Sequence, residues 1–332
     1  MHTVTLAQTA NRVPDWFTEA CAVSSETIDR TYDTCQLLTW ALREDKLFEY
    51  DQINWGFIRP KMSYERPLAY AQADWMLEFI ATRWSHEAIV ELLELYRLGV
   101  SDSEALRAVT GRSPDEFMSQ FRGWAAGQVA SWGMAETETS EEARAVIDNR
   151  GPDTGTDELI TLLDAHGGNH PDLLRLIAER AAKNIDPHEA RYWLSRYAEA
   201  RPVDPWPHKQ LVQLAFDLNQ PDDALGSLQL LEKSNNYTAA WSRQLAELHR
   251  RAGRLDAAQR AMTRALHCEP YNAGFRELAA TISLQRRDLA GAAYQVESLE
   301  ILEPDRATHP TRLAVIYQRL GRAEDAVAAA KR

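Results

Sequence analysis

The sequence predicts an all-α protein, on three observations. Small and apolar residues recur with a 34-residue period through the second half of the chain. Upstream of that array, Tyr70, Ala73, Leu77, Ile80 and Trp84 fall on one face at helical spacing. Helix-start signals stand at Ser101 with Glu104, and at Ser113 with Glu116 behind Pro114.

The chain has 332 residues, which at roughly 150 per domain suggests two domains. Hydrophobic residues make up 45% and charged residues 26%, too much core-forming content for a disordered chain. No apolar run is long enough to cross a bilayer. Acidic residues outnumber basic ones 49 to 37, giving a net charge of −12, which argues against nucleic acid as a partner. Cys21, Cys35 and Cys268 are widely spaced and form no CxxC pair, so neither a disulfide framework nor a zinc ribbon is implied. The N-terminus lacks the basic and apolar regions of a signal peptide. No GxGxxG, Walker A or GxSxG pattern occurs, so nucleotide binding and serine hydrolase chemistry have no support.

The periodic array comes first in the argument. An alanine recurs at Ala190, Ala224, Ala258, Ala292 and Ala326. Twelve residues after the first four stand Pro202, Asn236, Pro270 and Pro304. Seven residues after them stand Tyr197, Leu231, Ala265 and Leu299, and thirteen before all five stand Ile177, Leu211, Leu245, Ala279 and Leu313. The physical reading is a helical hairpin repeated five times. The alanine lets two helices approach closely, and the proline stops the second helix. This array resembles the tetratricopeptide repeat (TPR). The glycine before the turn is present only as Gly253 and Gly321. The resemblance implies an α-solenoid whose groove takes a peptide or partner protein, with Arg191, Tyr192, Arg243, Arg260 and Arg264 as candidate contacts. Repeats start near Pro171 and then near 205, 239, 273 and 307. The last is expected to be incomplete at Arg332.

Residues 133–169 read as a linker. Glycine, proline, threonine and acidic residues dominate ETETSEE and NRGPDTGTDE, and one short helix is expected from Asp157 to Ala165.

Residues 1–132 read as a separate helical unit. Ile89, Leu92, Leu93 and Tyr96 mark a helix after Trp84, and His86-Glu87 is its start. Phe117, Phe121 and Trp124 line a later one. Irregular loops are expected around Asn54 to Arg66. At the start, TVTLAQTANRVPDWFTEACAV reads as a helix from Thr3 to Thr9, a turn from Asn11 to Pro14, and a second helix holding Glu19. Cys21 reads as a small buried hydrophobe. His166 and His170 are four apart, but Gly167 and Gly168 between them weaken a helix, so a metal pair there is not expected.

That opening segment resembles the zinc site of gluzincin, peptidase-MA-like metallopeptidases. Trp16-Phe17-Thr18-Glu19-Ala20-Cys21-Ala22 matches their W-x-x-E-G-x-A pattern, with Ala20 in place of the glycine. YAQADWMLEFIATRW and SDSEALRAVTGRSPDEFMSQFRGW resemble the helices that follow the zinc site. The resemblance implies zinc as cofactor, His2 and Glu19 as two ligands, and Tyr70 as the catalytic group that hydrogen-bonds the oxyanion. The first histidine and the glutamate base of His-Glu-x-x-His would lie before Met1. Many members of that group look exported; the compartment of this chain is not set by its sequence.

Two functions follow. One is a fragment of a zinc metallopeptidase-like protein carrying a TPR interaction scaffold, inactive as this chain. The alternative is a non-catalytic TPR adaptor whose N-terminal unit is a degenerate peptidase domain. The corresponding architecture is a helical remnant of a thermolysin-like (gluzincin) catalytic domain at 1–132, a linker at 133–169 and a TPR solenoid at 170–332.

Overall fold

The computed structural model describes residues 1–26, 29–135, 155–183, 186–234 and 238–332. The described residues are helical, with turns and no strand. The chain divides into two compact units: residues 1–183 with 196–204, and residues 184–195 with 205–332.

The first unit opens with α1 (His2–Gln8), α2 (Asp15–Ser24), α3 (Tyr32–Arg43) and the short α4 (Ile53–Ile58). It continues through α5 (Glu65–Arg83), α6 (His86–Arg97), α7 (Asp102–Thr110) and α8 (Pro114–Ser131). Helices α9 (Thr156–Ala165) and α10 (Pro171–Ala181) follow, and α9 is the short helix expected at 157–165. ETETSEE and most of NRGPDTGTDE lie outside the described residues.

Helix α5 is the central element. Its predicted apolar face is too narrow a description, because Leu68, Ala69, Gln72, Trp75, Met76 and Phe79 are buried alongside Ala73, Leu77 and Ile80. A polar residue is tolerated at Gln72 because its amide is satisfied: Phe48 N donates to Oε1 at 2.8 Å, and Nε2 donates to Phe48 O at 2.7 Å. Aromatic rings fill the space around α5. Trp75 stacks on Trp132 at 5.3 Å and meets the edge of Phe121 at 5.5 Å. The Arg30 guanidinium lies over both tryptophans and pairs with Asp74 at 2.6 Å and Glu78 at 3.0 Å.

A buried carboxylate ties the early helices together. Asp102, in the first turn of α7, accepts from Trp16 Nε1 at 2.9 Å, Tyr50 Oη at 2.8 Å and Tyr96 Oη at 2.7 Å. Burial raises its pKa despite those three donors.

Two sequence expectations need correction, and one helix has no counterpart in the sequence reading. The segment expected to be irregular around 54–66 contains most of α4 and the start of α5. Gly56 makes α4 possible: a Cβ there would run into Ala69 Cβ and the Phe48 ring. Helix α3 was not read from the sequence at all, although Thr31 caps it by accepting from Thr34 N. Ser113 and Glu116 form the reciprocal capping box. Ser101 and Glu104 do not, because the Ser101 hydroxyl donates to the Glu104 carboxylate instead of accepting a backbone N–H.

Helix α11 (Pro187–Ala200) runs from the second unit into the first. The second unit then repeats one motif. Its hairpins are α12 (Trp206–Asp217) with a 3₁₀ turn and α13 (Leu225–Ser234), α14 (Ala239–Arg251) with α15 (Leu255–Cys268), α16 (Ala273–Gln285) with α17 (Leu289–Leu302), and α18 (Thr308–Arg319) with α19 (Ala323–Ala330). Ala190, Ala224, Ala258 and Ala292 are buried, and Ala326 is half-buried. Tyr197, Leu231, Ala265 and Leu299 are buried as well. Pro270 and Pro304 each follow a second helix by two residues, as a stop signal should.

The turn inside each hairpin holds a further register absent from the glycine pattern. Asn219, Gly253, Arg287 and Gly321 stand 34 apart, and all four have positive φ, at 55°, 72°, 62° and 75°. The turn demands a left-handed residue in every hairpin; glycine supplies it in two, and Asn219 and Arg287 adopt it at a steric cost.

Candidate functional site

The first unit gathers the three residues that the gluzincin resemblance singles out. His2 begins α1, Glu19 lies in α2, and Tyr70 lies in α5. Packing fixes the α1–α2 pair through a threonine bridge. Thr5 Oγ1 and Thr18 Oγ1, both buried, are 2.6 Å apart, and Thr5 Oγ1 donates to His2 O at 3.0 Å. The Trp16 backbone N–H donates to Asn54 Oδ1 at 2.9 Å, and its indole reaches Asp102, so α2 is pinned one turn before Glu19.

Across that frame His2 Nε2 stands 3.6 Å from Glu19 Oε2. His2 Nδ1 lies 3.5 Å from Thr18 Oγ1. The His2 side chain is 48% exposed and that of Glu19 24%, so the pair opens to solvent. Tyr70 faces the same carboxylate. Its pKa is raised by burial and then by the Glu19 charge, with Arg66 opposing. The Phe57 ring meets Tyr70 edge-on at 4.9 Å and holds it from the α4 side.

The donor set fits zinc as a partial site. Two ligands on one tetrahedral zinc stand about 3.3 Å apart, from metal–ligand distances of about 2.0–2.1 Å. A separation of 3.6 Å between a nitrogen and a carboxylate oxygen is close to that. Among the described residues, however, no group of three or more His, Cys, Asp or Glu is arranged to hold a metal.

The other candidates separate cleanly. His170 N-caps α10, its Nδ1 accepting from Leu173 N at 3.4 Å, while His166 ends α9. Cys21 is half-buried, and burial pushes its thiol up to about 11, out of the reactive range. His86 begins α6, as expected.

In the second unit, Arg191 pairs with Asp223 at 2.8 Å and Arg264 with Glu232 at 2.7 Å, so both are occupied within the array. Tyr192 is 55% exposed and meets Trp193 edge-on. Arg243 and Arg260 are exposed and form no ion pair with a described residue.

No protein-family model and no curated protein matches the chain. Solved structures do match. MamA is 18% identical at a TM-score of 0.39, over 47% of this chain and 91% of that one. MamA 41-end from Desulfovibrio magneticus RS-1 is 17% identical at 0.37, over 48% and 91%. The APC/C hetero-tetramer Cut9–Hcn1 is 14% identical at 0.35, over 86% and 54%. Likenesses this distant add nothing to what the helices themselves show.

Proposed function

We propose that this chain is a non-catalytic protein-interaction scaffold. Its helical hairpins receive a partner protein, and its N-terminal helices are a degenerate peptidase-like domain kept for packing. The observation that carries this reading is the second unit's repeat: hairpins with buried alanines and left-handed turn residues at one 34-residue step. Stacked hairpins of that kind offer an extended surface that a single hairpin lacks. The first unit supports the non-catalytic half of the reading. Its described residues bring two zinc donors together, and two protein ligands hold zinc weakly where catalytic sites use three. The test is co-purification of the full chain with a partner at fixed stoichiometry, beside a zinc-supplemented peptide-hydrolysis assay. A fixed ratio with no hydrolysis is expected. Hydrolysis that disappears in Glu19→Ala counts against the reading.

One observation favours a second reading, a fragment of a zinc metallopeptidase-like protein. His2, Glu19 and Tyr70 come from three helices and meet at one carboxylate. In that reading His2 Nε2 and Glu19 Oε2 hold zinc, and Tyr70 donates to a substrate carbonyl oxygen. Bound zinc supplies Lewis acidity and an acidified water. Dialysed chain retaining one zinc, lost in both His2→Ala and Glu19→Ala, supports it; equal zinc in all three removes it.

A further inference from the structure

The repeat unit holds a second polar cluster. His249 lies in the last turn of α14, Arg254 N-caps α15, and Arg260 and Arg264 lie one turn apart on α15. Arg254 Nε donates to His249 Nδ1 at 3.1 Å. That bond makes Nδ1 the acceptor and leaves the imidazole proton on Nε2. Burial first, and then the Arg254, Arg260 and Arg264 guanidiniums, hold His249 neutral, with Glu232 opposing.

The neighbouring carboxylates are engaged elsewhere. Glu232 accepts from Arg264 Nε and Nη2, both at 2.7 Å, and from the Ser242 hydroxyl at 2.5 Å. Glu247 accepts from Arg250 and Arg251. Asp256 accepts from Arg286 at 3.0 Å. Arg254 and Arg260 form no ion pair with a described residue. Two uncompensated guanidiniums and an imidazole N–H therefore share one surface of a chain whose net charge is −12. Both guanidinium charges act on the His249 imidazole, where like charges repel, and every group offered there is a donor. A tetrahedral oxyanion of charge near −2 removes the repulsion and matches the guanidinium fork.

We propose that His249, Arg254 and Arg260 form an anion site for a phosphate group. If the chain acts as the scaffold proposed above, that phosphate is borne by a segment of the partner protein; this last step alone rests on the scaffold reading.

The test titrates the full chain, labelled on its histidine rings, with inorganic phosphate and then with a phosphoserine peptide and its unphosphorylated twin. Saturable phosphate binding that moves His249 and raises its pKa is expected. Arg254→Ala and Arg260→Ala should each weaken it about tenfold, the weight of one charge-assisted hydrogen bond. Non-saturating shifts shared by all nine histidines overturn the site. So does an Arg260→Ala chain, folded by circular dichroism, that binds as the parent does. Phosphate binding with no gain from the phosphopeptide supports the site and fails only the scaffold step.

Discussion

His2 Nε2 stands 3.6 Å from Glu19 Oε2 across the turn that joins α1 to α2. Tyr70, on α5, faces that same carboxylate. This contact has a measurable consequence without any metal. Replacing Glu19 with Gln removes the negative charge that disfavours the tyrosinate. The Tyr70 pKa is then expected to fall toward the ordinary 10.0, read by NMR of its ring through an alkaline titration. An unchanged Tyr70 titration in Glu19→Gln would show that the carboxylate does not face the phenol.

Asp102 sets a pH dependence of opposite sign to an ordinary surface carboxylate. Burial holds its pKa above 3.8, so the folded chain binds this proton at higher pH than the unfolded chain. Between the two values the folded state carries more protons. This group's contribution to stability therefore falls as pH rises through that window and stays low above it. Asp102→Ala strands the Trp16, Tyr50 and Tyr96 donors in the core and is expected to cost about 3 kcal/mol at pH 7. Urea unfolding across pH, on the parent and on Asp102→Asn, checks the slope.

Gly133 has φ of 70°, and a Cβ there would overlap the Ala200 carbonyl oxygen. Its own carbonyl accepts from Arg201 Nε at 3.2 Å and Nη2 at 3.1 Å. Gly133→Ala is expected to destabilise the chain by about 2 kcal/mol or more, because the overlap with the Ala200 backbone adds to the left-handed cost of about 1 kcal/mol. Gly127→Ala, in open space on α8, should be neutral or slightly stabilising. Comparable melting temperatures for the two variants would contradict this.

The left-handed register predicts opposite effects at equivalent turns. Gly253→Ala is expected to cost about 1 kcal/mol, whereas Arg287→Gly should be stabilising, by up to about 1 kcal/mol. Denaturant midpoints on the two single variants give the answer directly.

The repeat was readable because its landmarks are local: the buried alanines and the stop prolines act on their own helices. The left-handed column was only partly readable: Asn219 is a residue type that tolerates positive φ, but Arg287 reaches it under the pull of the hairpin rather than by propensity. Helix α4 escaped because Gly56 is a poor helix former, kept where Phe48 and Ala69 approach the backbone. His2, Glu19 and Tyr70 were picked by resemblance; spacing alone does not join residues on three helices. Of the cluster at His249, the sequence singles out only Arg260 and Arg264, as candidate groove contacts; His249 and Arg254 carry no signal of their own. The cluster depends on α13 bringing Glu232 against Arg264, which occupies the carboxylate and leaves Arg254 and Arg260 uncompensated.

The measurement that bears most directly on the scaffold reading is cross-linking mass spectrometry of the full chain with its co-purifying protein. The account predicts intermolecular cross-links concentrated on the hairpins from α12 to α19. Cross-links confined to residues 1–135, or a chain that purifies alone and cleaves peptides with zinc, would contradict it.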